Sequence, residues 1–182
     1  APEKIKPDTL AKIRGKSLNQ VTIVGGTKKQ RDLTENVVWY CIKELMPRHR
    51  TLEIEVQLTK CLDKGAYGYC VADEGTTRSF IIEVDKSLSK FKNKKINKQG
   101  LERFVETICH EMIHVWQTAT GRMVDRVYPT KLGSRKMWKT KDGVYVNHTN
   151  TSYSKQPWER QAYRMQDGLR KGFYRELKHG RL

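Results

Sequence analysis

Between Leu101 and Thr118 the apolar residues Leu101, Phe104, Val105, Ile108, Met112 and Val115 recur at the spacing of one helical face. A helix with such a stripe must lie against a core, so the chain has to build a layer for it to rest on. On an adjoining face the same stretch reads His110-Glu-Met-Ile-His114. One helical turn separates the two histidines, and both imidazoles can reach a single Zn²⁺ at about 2.0 to 2.1 Å. Glu111 stands beside them, placed to take a proton from metal-bound water rather than to bind the metal. Core helix and candidate zinc site are therefore one element.

Catalytic zinc takes three protein ligands and keeps one position for water, so a third ligand must come from elsewhere. The further histidine that a metzincin carries soon after its helix is missing, since the chain runs from Val115 through Gly121 to Val124 without one. Two downstream residues remain, Glu159 and His148. Glu159 is preferred because it lies in the first turn of a helix that starts at Pro157 and carries the stripe Trp158, Ala162, Met165, Leu169, Phe173 and Leu177. A carboxylate on a rigid helix positions a ligand better than an imidazole on a loop. An oxyanion donor is also needed, and Tyr145, Tyr153, Tyr163, His148 and Arg164 are within reach of such a role. Tyr163, one turn beyond Glu159 on the same face, is the leading catalytic candidate.

The rest of the chain supplies the layer. Residues 1–30 form a basic lead-in with one strand candidate, Val21 to Val24, whose partner the sequence does not name. Leu33, Val37, Tyr40, Cys41 and Leu45 recur at helical spacing from Arg31 to Met46, and Pro47 ends the run. Leu52 to Leu58 alternates apolar and polar strictly, the pattern of a half-buried strand. Tyr67 to Ala72 and Phe80 to Val84 read as two more strands, joined by a turn at Asp73 to Gly75. A helix followed by a small antiparallel or mixed sheet emerges, giving an α+β fold class. Lys86 to Lys98 reads as a solvated loop, Gly100 as the residue before the motif helix, and Gly121 as its stop. Residues 121–156 read as a basic loop and hairpin insertion turning at Asp142-Gly143, and 157–178 as a C-terminal helix. At 182 residues the whole chain fits one domain.

The formal charge of +16, from 36 basic and 20 acidic residues, makes a field that draws polyanions. Nucleic acid is the candidate partner, through Lys92, Lys94, Lys95, Arg135, Lys136 and Lys139, with Trp138 nearby to stack on bases. No run approaches the twenty or so apolar residues that span a bilayer, and no secretory leader is visible. A cytoplasmic protein without membrane contact is expected. Cys41, Cys61, Cys70 and Cys109 show no Cys-x-x-Cys spacing and read as reduced, mostly buried thiols.

The string H-E-M-I-H after a strand such as Phe80 to Val84, with a later Pro157-Trp-Glu159 and Ala162-Tyr163 on a helix, resembles the small zincin metallopeptidases of bacteriophages and bacteria. The resemblance is to the SprT-like or Spartan proteases, which cleave proteins bound to DNA, and it covers roughly Arg31 to Gln117. It implies a zincin-like fold, Zn²⁺ as cofactor, a protein or peptide substrate and hydrolysis with Glu111 as general base. For a phage protein the compartment would be the host cytoplasm. A strand such as Phe80 to Val84 would be the edge that holds an extended peptide. The chain departs from that family after Gly121, where no His-Gly segment supplies the third ligand; a ligand at Glu159 resembles the gluzincin arrangement instead. Gluzincins often place an Asp four residues later to orient a motif histidine, and here position 163 is Tyr. The alternative reading is a nucleic-acid-binding or structural phage protein on a catalytically silent scaffold.

Overall fold

The computed structural model describes residues 18–60, 66–73, 75–89, 98–127 and 134–180. Lys92, Lys94, Lys95 and Cys61 lie outside these residues. The described chain is α+β, with a four-stranded sheet carrying helices on one face and a separate three-stranded sheet.

Strand β1 (Gln20–Gly25) leads into helix α1 (Lys28–Leu45), then β2 (Glu53–Thr59), β3 (Gly68–Ala72) and β4 (Ser79–Asp85). Strict alternation becomes burial on one face: Leu52, Ile54, Val56 and Leu58 are buried, as are Phe80, Ile82 and Val84. Each such side chain contributes roughly 1.5 to 3 kcal/mol on leaving water. Helix α1 begins three residues before Arg31, because Thr27 and Gln30 form a reciprocal capping box. It ends ahead of Pro47, as expected.

The sheet order is β1-β2-β4-β3. Of the two sheet types expected, antiparallel or mixed, the structure has the mixed one. β1 pairs with β2 in parallel, and so does β2 with β4; β3 alone runs antiparallel, against β4, with Cys70 opposite Ile82. The reason lies in the connections: α1 carries the chain back across the sheet between β1 and β2, as a parallel pair requires, while the tight turn near Gly75 permits an antiparallel one. The expected edge strand is corrected. Phe80 to Val84 sits between β2 and β3; among the described residues the edges of this sheet are β1 and β3, and β3 is the edge against the motif helix, Lys98–Ala119.

Helix α2 (Lys98–Ala119) follows a 3-10 turn at Lys86–Ser89 and crosses the sheet. Gly100, expected just before the helix, falls in its first turn. Gly121 does stop it, in the left-handed region at φ 72°; its N–H reaches the Thr118 carbonyl and that of Arg122 the Gln117 carbonyl. Phe104, Val105, Ile108, Met112 and Val115 are all buried in the core.

The expected basic loop contains a sheet: β5 (Met123–Val127), β6 (Ser134–Lys139) and β7 (Tyr145–Asn147) form an antiparallel meander. The β6–β7 hairpin turns at Asp142-Gly143 as expected, and β5 is an addition. Its residues Met-Val-Asp-Arg-Val alternate too weakly to announce a strand, and pairing with β6 makes them one. Helix α3 (Pro157–Lys178) closes the fold with the expected bounds, burying Trp158, Ala162 and Phe173. Where α3 passes α1 the Tyr40 hydroxyl lies over Gly172, in the space a Cβ would fill.

Cys41 and Cys109 are buried free thiols with their Sγ atoms 3.9 Å apart, and Cys70 is a half-buried one. The hydrogen bond that Cys41 donates to Cys109, with burial, raises the Cys41 pKa, so this thiol stays protonated. No helix among the described residues is long and apolar enough to cross a membrane.

Candidate metal centre

Helix α2 sets His110 and His114 one turn apart, with ring centroids 4.8 Å from each other at 85°. The first turn of α3 docks against this face and brings Glu159 between them. His110 Nε2 lies 3.1 Å from Glu159 Oε2, His114 Nε2 lies 3.1 Å from Glu159 Oε1, and the two Nε2 atoms are 3.2 Å apart. All three side chains are 10% to 13% exposed. A tetrahedral ion about 2.0 Å from each donor separates the donors by about 3.3 Å, close to the spacing observed. His110, His114 and Glu159 can therefore hold a metal ion.

The hydrogen bonds behind the histidines sharpen that fit. Gln166 donates from Nε2 to Glu106 Oε1 at 3.1 Å, which turns its Oε1 to His110 Nδ1 at 2.7 Å. Gln117 donates from Nε2 to the Trp158 carbonyl at 3.0 Å and to Gln161 Oε1 at 2.9 Å, which turns its Oε1 to His114 Nδ1 at 2.8 Å. An amide oxygen facing Nδ1 needs a proton there, leaving the lone pair of each neutral ring on Nε2. Two such lone pairs and the Glu159 carboxylate then converge, where either a proton shared with Glu159 or a bound cation would satisfy them.

The ionisation of the site agrees. Burial works to raise the Glu159 pKa, but its contacts with His110, His114 and the Tyr153 hydroxyl outweigh it and hold the carboxyl well below its usual range. Burial opposes charge on His114, yet the hydrogen bond to Glu159 and the charge of Glu111 raise its pKa overall. The same negative charge that draws a proton to His114 would draw a metal.

Glu111 is 5% exposed, and burial raises its pKa against the opposing pull of His114 and His110. Its carboxylate lies along β3 at Gly68, where a Cβ would stand 3.0 Å from Glu111 Oε1 and 2.9 Å from Thr107 Cγ2. The glycine makes room for the carboxylate beside the free edge of the sheet. Carboxylates with raised pKa suit proton transfer near neutral pH.

Of the tyrosines, Tyr153 donates to Glu159 Oε2 at 2.8 Å. Its own phenol pKa is raised, first by burial and then by Tyr163 and Glu159. Tyr163 is 56% exposed and sets its ring edge-on to His110, centroids 4.8 Å apart at 63°. Both stand at the mouth of the centre. His148 does not join it: its Nδ1 meets Thr151 Oγ1 at 3.1 Å and its ring packs against Trp158. The Tyr145 hydroxyl is spent on the Gly121 carbonyl at 2.7 Å, and Arg164 is exposed on α3.

Sequence reasoning missed Gln117 and Gln166. Their signal was register: Gln117 lies three residues after His114, and Gln166 lies seven after Glu159, two helical turns along the same face. Of the basic residues singled out for nucleic acid, Arg135 and Lys136 are half-buried on β6, while Lys139 is exposed with its Nζ 5.8 Å from the Tyr145 ring centroid. Arg122 stacks over Trp116 at 4.4 Å. Comparison of the chain with protein-family models, with curated proteins and with solved structures gives no match.

Proposed function

We propose that this protein is a zinc-dependent peptidase, with His110, His114 and Glu159 as metal ligands and Glu111 as general base. The observation that carries this reading is the convergence of two Nε2 lone pairs and the Glu159 carboxylate beside a buried acid of raised pKa. Bound zinc supplies Lewis acidity, lowering the pKa of a water to about 7 and polarising a carbonyl. Glu111 accepts the proton of the attacking water and returns it to the leaving amine. Tyr163, at the mouth of the site, is the candidate donor to the developing oxyanion.

The β3 edge suits an extended peptide. Asp85 donates its N–H to the Tyr67 carbonyl and Asp73 donates to the Ser79 carbonyl, so the odd-numbered residues of β3 bond inward to β4. The N–H and C=O groups of Gly68, Cys70 and Ala72 therefore face the free edge, where a substrate strand can pair with them. Gly68 is also the residue against which Glu111 rests, so pairing there puts a peptide next to the base. The resemblance of H-E-M-I-H to the SprT-like zincins supports the same activity. A nucleic-acid partner is the second part of the proposal, supported by the charge of +16 and by Arg122, Arg135, Lys136 and Lys139.

Zinc content and cleavage of a denatured protein, with and without DNA, in wild type and Glu111→Gln test the reading. One zinc in both proteins and cleavage by wild type alone is the expected result, with Glu111→Gln slower by about 10² to 10⁴. Zinc without cleavage in either would leave a binding protein, and no zinc would overturn the site.

A further inference from the structure

We propose, resting on the metal-site reading above, that Gln117 and Gln166 are positioning residues that preset His114 and His110 for metal through neutral amide oxygens, with Glu106 and Arg170 locking Gln166 in that pose. An unheld neutral imidazole can carry its proton on either nitrogen, and only the ring with Nε2 free can bind here. Each glutamine oxygen removes the wrong tautomer, at 2.8 Å from His114 Nδ1 and 2.7 Å from His110 Nδ1.

A glutamine could itself turn over and present its NH₂, and each is prevented from doing so by its neighbours. Gln117 is wholly buried and its Nε2 faces the Trp158 carbonyl and Gln161 Oε1. Gln166 faces Glu106 Oε1, and the other oxygen of that carboxylate is 3.1 Å from Arg170 Nε. Arg170 in turn is pinned by Glu102 at 3.2 Å and by Asp167. A line of contacts therefore runs Arg170, Glu106, Gln166, His110, crossing between α3 and α2 at each step.

This chemistry differs from a carboxylate behind the histidine. An amide oxygen orients the ring without adding negative charge, so Glu159 is the one anion among the three donors and the ion keeps more of its positive charge for the substrate. It also ties metal affinity to helix packing, because the residues that fix Gln166 are those that hold α3 to α2.

The test is zinc affinity of the full chain, measured by competition with a chromophoric chelator, alongside thermal unfolding of the zinc-free protein. Gln166→Leu and the near-isosteric Gln166→Met, compared at temperatures where each is folded, should bind zinc about 10- to 100-fold more weakly than wild type. The double variant Gln166→Glu/Glu106→Gln reverses donor and acceptor between the two positions and still turns an acceptor to His110. It should return affinity to within about threefold of wild type or better. Wild-type affinity in Gln166→Leu and Gln166→Met would overturn the proposal, and so would a double variant as weak as they are, because the residue would then act by shape alone. Wild type that binds no zinc would overturn the metal-site reading itself, a result distinct from either.

Discussion

His110 and Glu159 are 49 residues apart in sequence, yet their Nε2 and Oε2 atoms lie 3.1 Å apart between two packed helices. A metal ion held there would be a cross-link between α2 and α3. With free zinc at about a thousand times Kd, binding adds about 4 kcal/mol to stability and raises Tm by roughly ten degrees. A thermal scan of chelator-treated protein with and without zinc should show that rise in wild type and in His148→Ala, and little of it in Glu159→Gln. An undiminished shift in Glu159→Gln would place the ion elsewhere.

Gly68→Ala should separate catalysis from metal binding. The new methyl would press on Glu111 Oε1, Thr107 Cγ2 and the Glu83 carbonyl, at 3.0, 2.9 and 3.1 Å, while touching none of the three ligands. Misplacement of a reacting group by about 1 Å can cost about 10²-fold, so kcat/KM is expected to fall between tenfold and a hundredfold. Zinc content measured on the same preparation should stay at the wild-type value.

Gly172→Ala tests the packing of α1 on α3. Replacing a mid-helix glycine by alanine ordinarily gains about 1 kcal/mol. Here the Cβ would meet the Tyr40 hydroxyl, on a ring that is 5% exposed and packed edge-on against Phe173 at 5.8 Å. Overpacking of this kind costs about 1 to 3 kcal/mol and should outweigh the gain. Urea unfolding should give a lower midpoint than wild type; a higher one would mean Tyr40 swings aside freely.

Alkaline pH should loosen the same region. Burial, reinforced by nearby carboxylates, pushes Tyr40 and Tyr174 up to about 12 from the ordinary 10.0. Between those values the unfolded chain has lost protons that the folded chain keeps, so stability falls as pH rises through the interval. Urea midpoints taken from about pH 9 upward should decline, and Tyr40→Phe should decline less steeply. Equal slopes in both proteins would remove Tyr40 from this account.

What the sequence by itself determined is local. The bounds of α3, the end of α1 before Pro47, the stop at Gly121, the hairpin at Asp142-Gly143 and the pairing of His110 with His114 on one face follow from periodicity and turn chemistry over a few residues. Glu159 was legible for a related reason, since a first-turn carboxylate on a helix with a buried stripe has a fixed place once that stripe docks. What only the tertiary structure decided is which distant groups meet. Nothing in Phe80 to Val84 says that its neighbours are β2 and β3, because backbone pairing is blind to side-chain identity along the edge, so β4 became an inner strand and β3 an edge. Nothing in Gln117 or Gln166 distinguishes them from solvated glutamines until helix packing buries Gln117, half-buries Gln166 and brings their amides to His114, His110, Trp158, Gln161 and Glu106. Local pattern fixed the elements; the packing of α3 on α2, which pairs polar groups that burial takes from water, decided the site.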